Sequence, residues 1–135
     1  MKYLNMLKEA IYEENHEKTD LILYLISLED NAKEYVAELF LFMESNPDIN
    51  YGLPGPVVHF MEKYFLDGYE ELLYSSVKRK PTLHTIWMIN RMLNSPKLDE
   101  REKYMNLLKE IAENQNESDD IRDRANHYFE YQNNK

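Results

Sequence analysis

Apolar residues recur at helical spacing along almost the whole chain. Leu4, Leu7 and Ile11 share one helical face, and the same i, i+3, i+4, i+7 spacing returns in later segments. Two of these later stripes are Leu21, Tyr24, Leu25 and Leu28, and then Val36, Leu39, Phe40 and Met43. No segment shows the sustained alternation of a half-buried strand. The pattern therefore predicts an all-α chain of about eight helices, each with one apolar stripe.

Helix-breaking and helix-capping residues separate these stripes. Gly55 and Pro56 predict a helix start, because the missing N–H of a proline is harmless at the first helical position. Gly68 predicts a helix end, and Pro81 interrupts the next apolar pattern. Thr82, Ser118 and either Asp30 or Asn31 are the predicted N-caps of three further helices.

The spacing of the predicted helices suggests how they are arranged. From about residue 19 they fall into three segments of similar length, 19–45, 56–80 and 82–114. Short connections favour antiparallel pairs, so we expect one domain over residues 1–135 with a short HEAT- or armadillo-like stack. An irregular helical bundle is the alternative, because no residue-level repeat is visible. The final YQNNK segment is expected to fray.

Charge is distributed unevenly along the chain. The net charge of −9 divides into −7 for residues 1–50, +2 for 51–97 and −4 for 98–135. An acidic chain is a poor match for nucleic acid, whose phosphates require Lys and Arg, but it suits a basic protein partner. The first residues interleave charged and apolar side chains, which is not the pattern of a signal peptide. With no cysteine and no long apolar run, a cytoplasmic location is expected.

Residue motifs for catalysis or metal binding are weak. His59 and Glu62 lie three residues apart and His84 follows later, but a metal site requires several converging ligands. The acidic pairs fall at helix ends or on polar faces, and the LPGP segment lacks the backbone donors of a phosphate-binding loop. We therefore expect a non-enzymatic protein without a metal or cofactor.

Two polar residues lie close to the only tryptophan. Asn90 interrupts the stripe formed by Leu83, Ile86 and Trp87, and Arg91 lies one helical turn after Trp87. Arg91 is placed to stack on the indole. Two interpretations remain open for Asn90 and Arg91. They either tie their helix to the YGLPGP loop or a neighbouring helix end, or they line a groove that binds a ligand or protein.

The segment 52–94 carries a family resemblance. It contains a G-x-P-G-P turn, followed by V-H-F-x-E-K, G-Y-E-x-x-L, K-R-K-P-T and T-x-W-M-x-N-R. This pattern resembles small helical immunity proteins of bacterial polymorphic-toxin and contact-dependent inhibition systems. The resemblance implies an antitoxin that binds a cognate toxin domain, commonly a nuclease, and neutralises it by stoichiometric blockade. It transfers no catalytic residue.

The acidic N-terminal helices are the predicted contact region for such a basic toxin domain. The acidic candidates are Glu13, Glu14, Glu17, Asp20, Glu29, Asp30, Glu34 and Glu38, with Tyr12, Tyr24 and Tyr35 as aromatic anchors. Solvated helix faces have the same composition. The alternative function is a helical-repeat adaptor that binds a peptide or protein in its groove. Whether the chain is a monomer or a dimer stays open, since exposed Tyr and Met serve either state.

Overall fold

The computed structural model describes residues 1–135 and is entirely helical. Its eight α-helices are α1 (Leu4–Tyr12), α2 (His16–Ser27), α3 (Glu34–Ser45), α4 (Gly55–Glu62), α5 (Tyr69–Arg79), α6 (Leu83–Leu93), α7 (Arg101–Glu113) and α8 (Asp119–Asn133). The all-α prediction is confirmed. None of the helices is both long enough and apolar enough to cross a membrane.

The helices divide into two compact units, residues 1–72 and residues 73–135. α5 begins in the first unit and ends in the second. The prediction of one domain over 1–135 stays a prediction, because compact units of this kind occur within single domains as well as between them. Within the units the helices pack in pairs, as expected for an all-helical bundle or stack.

In the first unit, α2 is the helix with the most partners. It packs against both α1 and α4. The predicted pairing of α2 with α3 across residues 19–45 is not among the extensive helix contacts. The core comprises Leu7, Ala10, Ile11, Ile22, Leu23, Ile26, Tyr35, Val36, Leu39, Phe40, Met43, Val57, Val58, Phe60 and Met61. Tyr69, at the start of α5, joins this core with its ring 5.9 Å from that of Phe40.

The orientation of α2 differs from the sequence prediction. The predicted core stripe Leu21, Tyr24, Leu25 and Leu28 faces solvent, and the buried residues are Thr19, Ile22, Leu23 and Ile26. Successive helical residues are about 100° apart, so the six consecutive apolar residues 21–26 surround the helix. Helical periodicity is therefore compatible with an apolar stripe on either side of this helix. Packing against α1 and α4 buries the side opposite the predicted stripe.

Two of the predicted N-caps are confirmed and one is wrong. The Thr82 hydroxyl accepts a hydrogen bond from Thr85 N–H, and the Ser118 hydroxyl accepts one from Ile121 N–H. Neither Asp30 nor Asn31 caps α3. The N-cap position belongs to Lys33, with no side-chain cap, because residues 29–34 form successive backbone turns leading into the helix. Local turn hydrogen bonds replace the side-chain cap there.

In the second unit, α6, α7 and α8 pack against one another. The predicted pairing of α6 with α7 is present, and α8 contacts both helices. The buried hydrophobic residues of this unit are Leu73, Val77, Ile86, Met88, Ile89, Met92, Leu93, Tyr104, Met105, Leu107, Leu108, Ile111 and Ala125. The rings of Tyr74 and Tyr104 meet edge to face at 6.0 Å.

The end of α8 is fixed by a buried amide rather than frayed. Gln132 is buried, and its Nε2 donates to the Asn90 Oδ1 at 2.8 Å and to the Asn94 Oδ1 at 3.0 Å. Arg101, at the start of α7, donates to the Gln132 Oε1 at 3.2 Å and to the Leu93 carbonyl at 2.6 Å. The expected fraying of YQNNK is therefore wrong up to the end of α8. One side chain near the C-terminus connects three helices.

Replacing Gln132 should destabilise the second unit. Gln132→Ala removes these hydrogen bonds and leaves a small cavity, so we expect the free energy of unfolding to fall by about 2–3 kcal/mol. The measurement is urea denaturation followed by circular dichroism. The neighbouring exposed residue gives the control, and Asn133→Ala should change stability by less than about 0.5 kcal/mol. Equal stability of the two variants would contradict the role given to Gln132.

Candidate functional site

The outward side of α2 presents large apolar side chains to solvent. Leu21 and Tyr24 are each 61% exposed and Leu28 is 65% exposed. Leu25 lies at the edge of the same side and is also exposed. We call these four residues the outer stripe. An amphipathic helix normally exposes its polar side, so an apolar stripe opposite the buried face of α2 marks a surface suited to a partner.

Acidic residues border the outer stripe at both ends. Residues 12–30 contain six Asp or Glu against one Lys, a net charge of −5. Glu17 and Asp20 are exposed on α2, and they line a shallow depression together with Asn15, Lys18, Leu21 and Tyr24. Glu29 and Asp30 follow Leu28 directly. Apolar residues surrounded by charged ones form the usual pattern of a protein-binding patch.

Most of the carboxylates in this region form no ion pair within the chain. Glu13, Glu17, Asp20, Asp30 and Glu34 are exposed and form no ion pair. Glu29 is half-buried and lies 3.8 Å from the Lys2 Nζ, and Glu38 is half-buried as well. Binding of a cationic group at the exposed positions would therefore not require an existing ion pair to break.

The three predicted aromatic anchors have different positions. Tyr12, at the end of α1, and Tyr24, on the outer stripe, are exposed. Tyr35 is wrong as an anchor, because it is 0% exposed and belongs to the core of the first unit. Its hydroxyl accepts a hydrogen bond from the Tyr3 N–H at 3.1 Å, which satisfies the polar end of a buried ring.

Glu14 has a structural contact in addition to its charge. It adopts the left-handed conformation, with φ of 56°, in the link between α1 and α2. Its carboxylate accepts a hydrogen bond from Asn50 N–H at 3.2 Å, and the His16 Nε2 lies 3.0 Å from the carbonyl oxygen of Asn50. The two side chains connect the start of α2 to the loop that precedes α4.

Helical periodicity does not predict the leucines of this surface. It places Leu21, Leu25 and Leu28 in the core, and it gives no signal for Leu53 in the loop before α4. The uninterrupted apolar run of residues 21–26 was the available signal, since one buried side cannot accommodate all of it. No comparable pattern marked Leu53, whose exposure depends on the fold of its loop.

Asn90 and Arg91 lie on α6 in the second unit. The side chain and carbonyl of Asn90 accept hydrogen bonds from Gln132, so Asn90 ties α6 to the end of α8. This agrees with the structural interpretation of Asn90. The guanidinium of Arg91 lies 5.7 Å from the Trp87 ring centre, which confirms the predicted stacking.

The histidines considered as metal ligands do not converge. His59 and Glu62 are on α4, whereas His84 is on α6. The structure contains no group of three or more His, Cys, Asp or Glu side chains that could hold a metal ion. His84 instead packs beside Trp87, with the ring centres 5.1 Å apart.

Comparisons with models of protein families, with curated proteins and with solved structures find no match to this chain. Evidence for a function therefore comes from the geometry and charge of the α1–α2 region and from the motif resemblance of residues 52–94. We call the exposed side chains of residues 12–30, which include the outer stripe and the acidic residues beside it, the α2 surface.

His84 should make stability depend on pH. Burial lowers its pKa from 6.5 to about 4, so between these pH values the unfolded chain binds a proton that the folded chain does not. The folded state should lose up to about 3 kcal/mol relative to the unfolded state as pH falls through this range. NMR titration of the His84 ring should give a midpoint near pH 4, and His84→Gln should lose less stability over the same range. A midpoint near 6.5 would contradict this.

Proposed function

We propose that this chain is an immunity protein, an antitoxin that captures a basic toxin domain and neutralises it by stoichiometric blockade. The observation that supports the proposal is the α2 surface, where an exposed apolar stripe is bordered by carboxylates that form no ion pair. The proposed surface acts by binding alone, with no catalytic residue.

The apolar part of the surface supplies affinity. Each leucine that a partner covers contributes about 1.5–3 kcal/mol by removal of apolar area from water, before the losses of association are counted. Tyr24 lies among the leucines and offers a rigid ring with a polar tip, a residue type enriched among binding hot spots. A few such side chains at the centre of an interface commonly carry most of its binding energy.

In this proposal the charged part of the surface raises the association rate and favours basic partners. A nuclease toxin must present Lys and Arg to the phosphates of its substrate, so carboxylates can occupy the same positions. The net charge of −5 over residues 12–30 would attract such a basic surface from a distance and orient it. A nuclease domain is therefore the favoured class of toxin.

Resemblance adds independent support. The motifs in residues 52–94 are similar to those of helical immunity proteins, and these residues include α4, which packs against the buried side of α2. In the proposed arrangement α4, which belongs to the segment that carries the resemblance, packs on the side of α2 that does not bind the partner. The adaptor function stays as the second candidate, supported by leucines at the spacing used when helices dock on one another.

A cell-rescue experiment tests the proposed function. The proposal predicts that a toxin is encoded next to this gene, and the domain of that toxin is expressed under a tight inducible promoter, with and without this chain. A gene without a toxin neighbour would contradict the proposal. We expect growth arrest by the toxin alone, rescue by co-expression, and a one-to-one complex from the two purified proteins. No rescue and no complex, together with capture of a housekeeping protein, would replace the immunity function with the adaptor function.

Neutralising the acidic border should slow association. The triple variant Glu13→Gln, Glu17→Gln, Asp20→Asn should lower the association rate constant for the toxin domain about fivefold to tenfold at low salt. Stopped-flow fluorescence measures this rate. The matched variant Glu113→Gln, Asp123→Asn, Glu130→Gln removes the same charge from exposed sites in the second unit and should have a smaller effect. Equal slowing would mean that only the overall charge matters.

A further inference from the structure

The loop between α3 and α4 carries the most exposed large apolar side chain of the protein. Leu53 is 83% exposed, whereas Tyr51, two residues earlier, is only 2% exposed. The Tyr51 hydroxyl donates to the Asn46 carbonyl at 2.6 Å, and Asn50 Oδ1 accepts from Gly52 N–H at 2.9 Å. The loop thus has a buried anchor on one side and a projecting leucine on the other.

The two glycines of this loop bring its backbone into close contact with itself. Gly52 has a φ of +98°, and a Cβ at that position would lie 2.5 Å from the Gly55 Cα. Only glycine accommodates so close an approach of two backbone segments. Leu53, between these glycines, therefore projects from a tight turn.

The loop is fastened to the acidic end of the α2 surface. Glu14 and His16, which bracket the N-cap of α2, contact the backbone N–H and carbonyl of Asn50. α4 begins at Gly55 and packs against α2. These contacts hold the loop at the end of α2 where Glu17 and Asp20 are exposed. The loop therefore lies beside the N-terminal end of the α2 surface.

We propose that Leu53 is a second anchor of the α2 surface and inserts into an apolar pocket that Lys or Arg side chains border on the partner. This inference depends on the proposed function only in that the partner is the protein captured by α2. Charge complementarity selects the occupant, because Glu14, which bonds to the loop, and the acids that border the outer stripe favour cations beside the pocket. A second copy of this chain would bring like charges together in a symmetric contact.

Photo-crosslinking in cells tests whether the loop and the helix share one partner. The photoreactive amino acid benzoylphenylalanine is placed at Leu53, at Tyr24, or at Leu83, an exposed leucine of the second unit that serves as the control. We expect positions 53 and 24 to capture the same basic protein and position 83 not to capture it. Capture of different proteins, of a second copy of this chain, or of nothing at position 53 would overturn the inference.

Affinity measurements with the captured protein complete the test. Leu53→Ala should raise its Kd at least about tenfold, and Leu83→Ala should leave Kd within about twofold. Circular dichroism checks that both variants are folded, and Leu53→Met, which keeps an apolar side chain of similar size, should retain binding. An unchanged Kd for Leu53→Ala would overturn the inference while leaving the immunity function intact. Capture of a basic protein that is not a toxin would instead overturn the immunity function and leave the inference about Leu53 intact.

Discussion

The burial of one side of α2 is the constraint from which the rest of the first unit follows. This helix is apolar around its whole circumference over residues 21–26, so either side could form a core. Contacts with α1 and α4 cover Thr19, Ile22, Leu23 and Ile26. The opposite side keeps its leucines and Tyr24 in water, an unfavourable exposure that a binding partner would relieve.

Hydrogen bonds between side chains and backbone fix the segments that apolar packing leaves undetermined. In the first unit the Asn50 N–H donates to Glu14 and the Asn50 carbonyl contacts His16, and in the second unit Gln132 joins α6, α7 and α8. The four ion pairs described are all at least partly exposed, and pairs of that kind contribute at most about 1 kcal/mol. In the second unit the buried amide of Gln132 therefore holds the junction more than surface charge does, whereas the junction at Asn50 is made by at least partly exposed side chains bonded to backbone.

Most acidic side chains of the α2 surface do not join segments of the fold, unlike the hydrogen bonds at Asn50 and Gln132. Glu17, Asp20 and Asp30 are exposed and form no ion pair, so their mutual repulsion is not offset within the chain. Placed around exposed apolar side chains, they suit the α2 surface to the cationic partner that we propose. The proposed antitoxin function uses both properties, and the Leu53 loop would add a contact beside them.

The amino-acid sequence predicts the all-α class, the approximate extent of the helices, and the caps at Thr82 and Ser118, because these depend on local spacing and local hydrogen bonds. It also indicates the stacking of Arg91 on Trp87, one helical turn apart. Three features are set only when the chain folds: the side of α2 that is buried, the place of Tyr35 in the core, and the projection of Leu53 from its loop. These features depend on contacts between residues distant in the chain, which local periodicity does not encode.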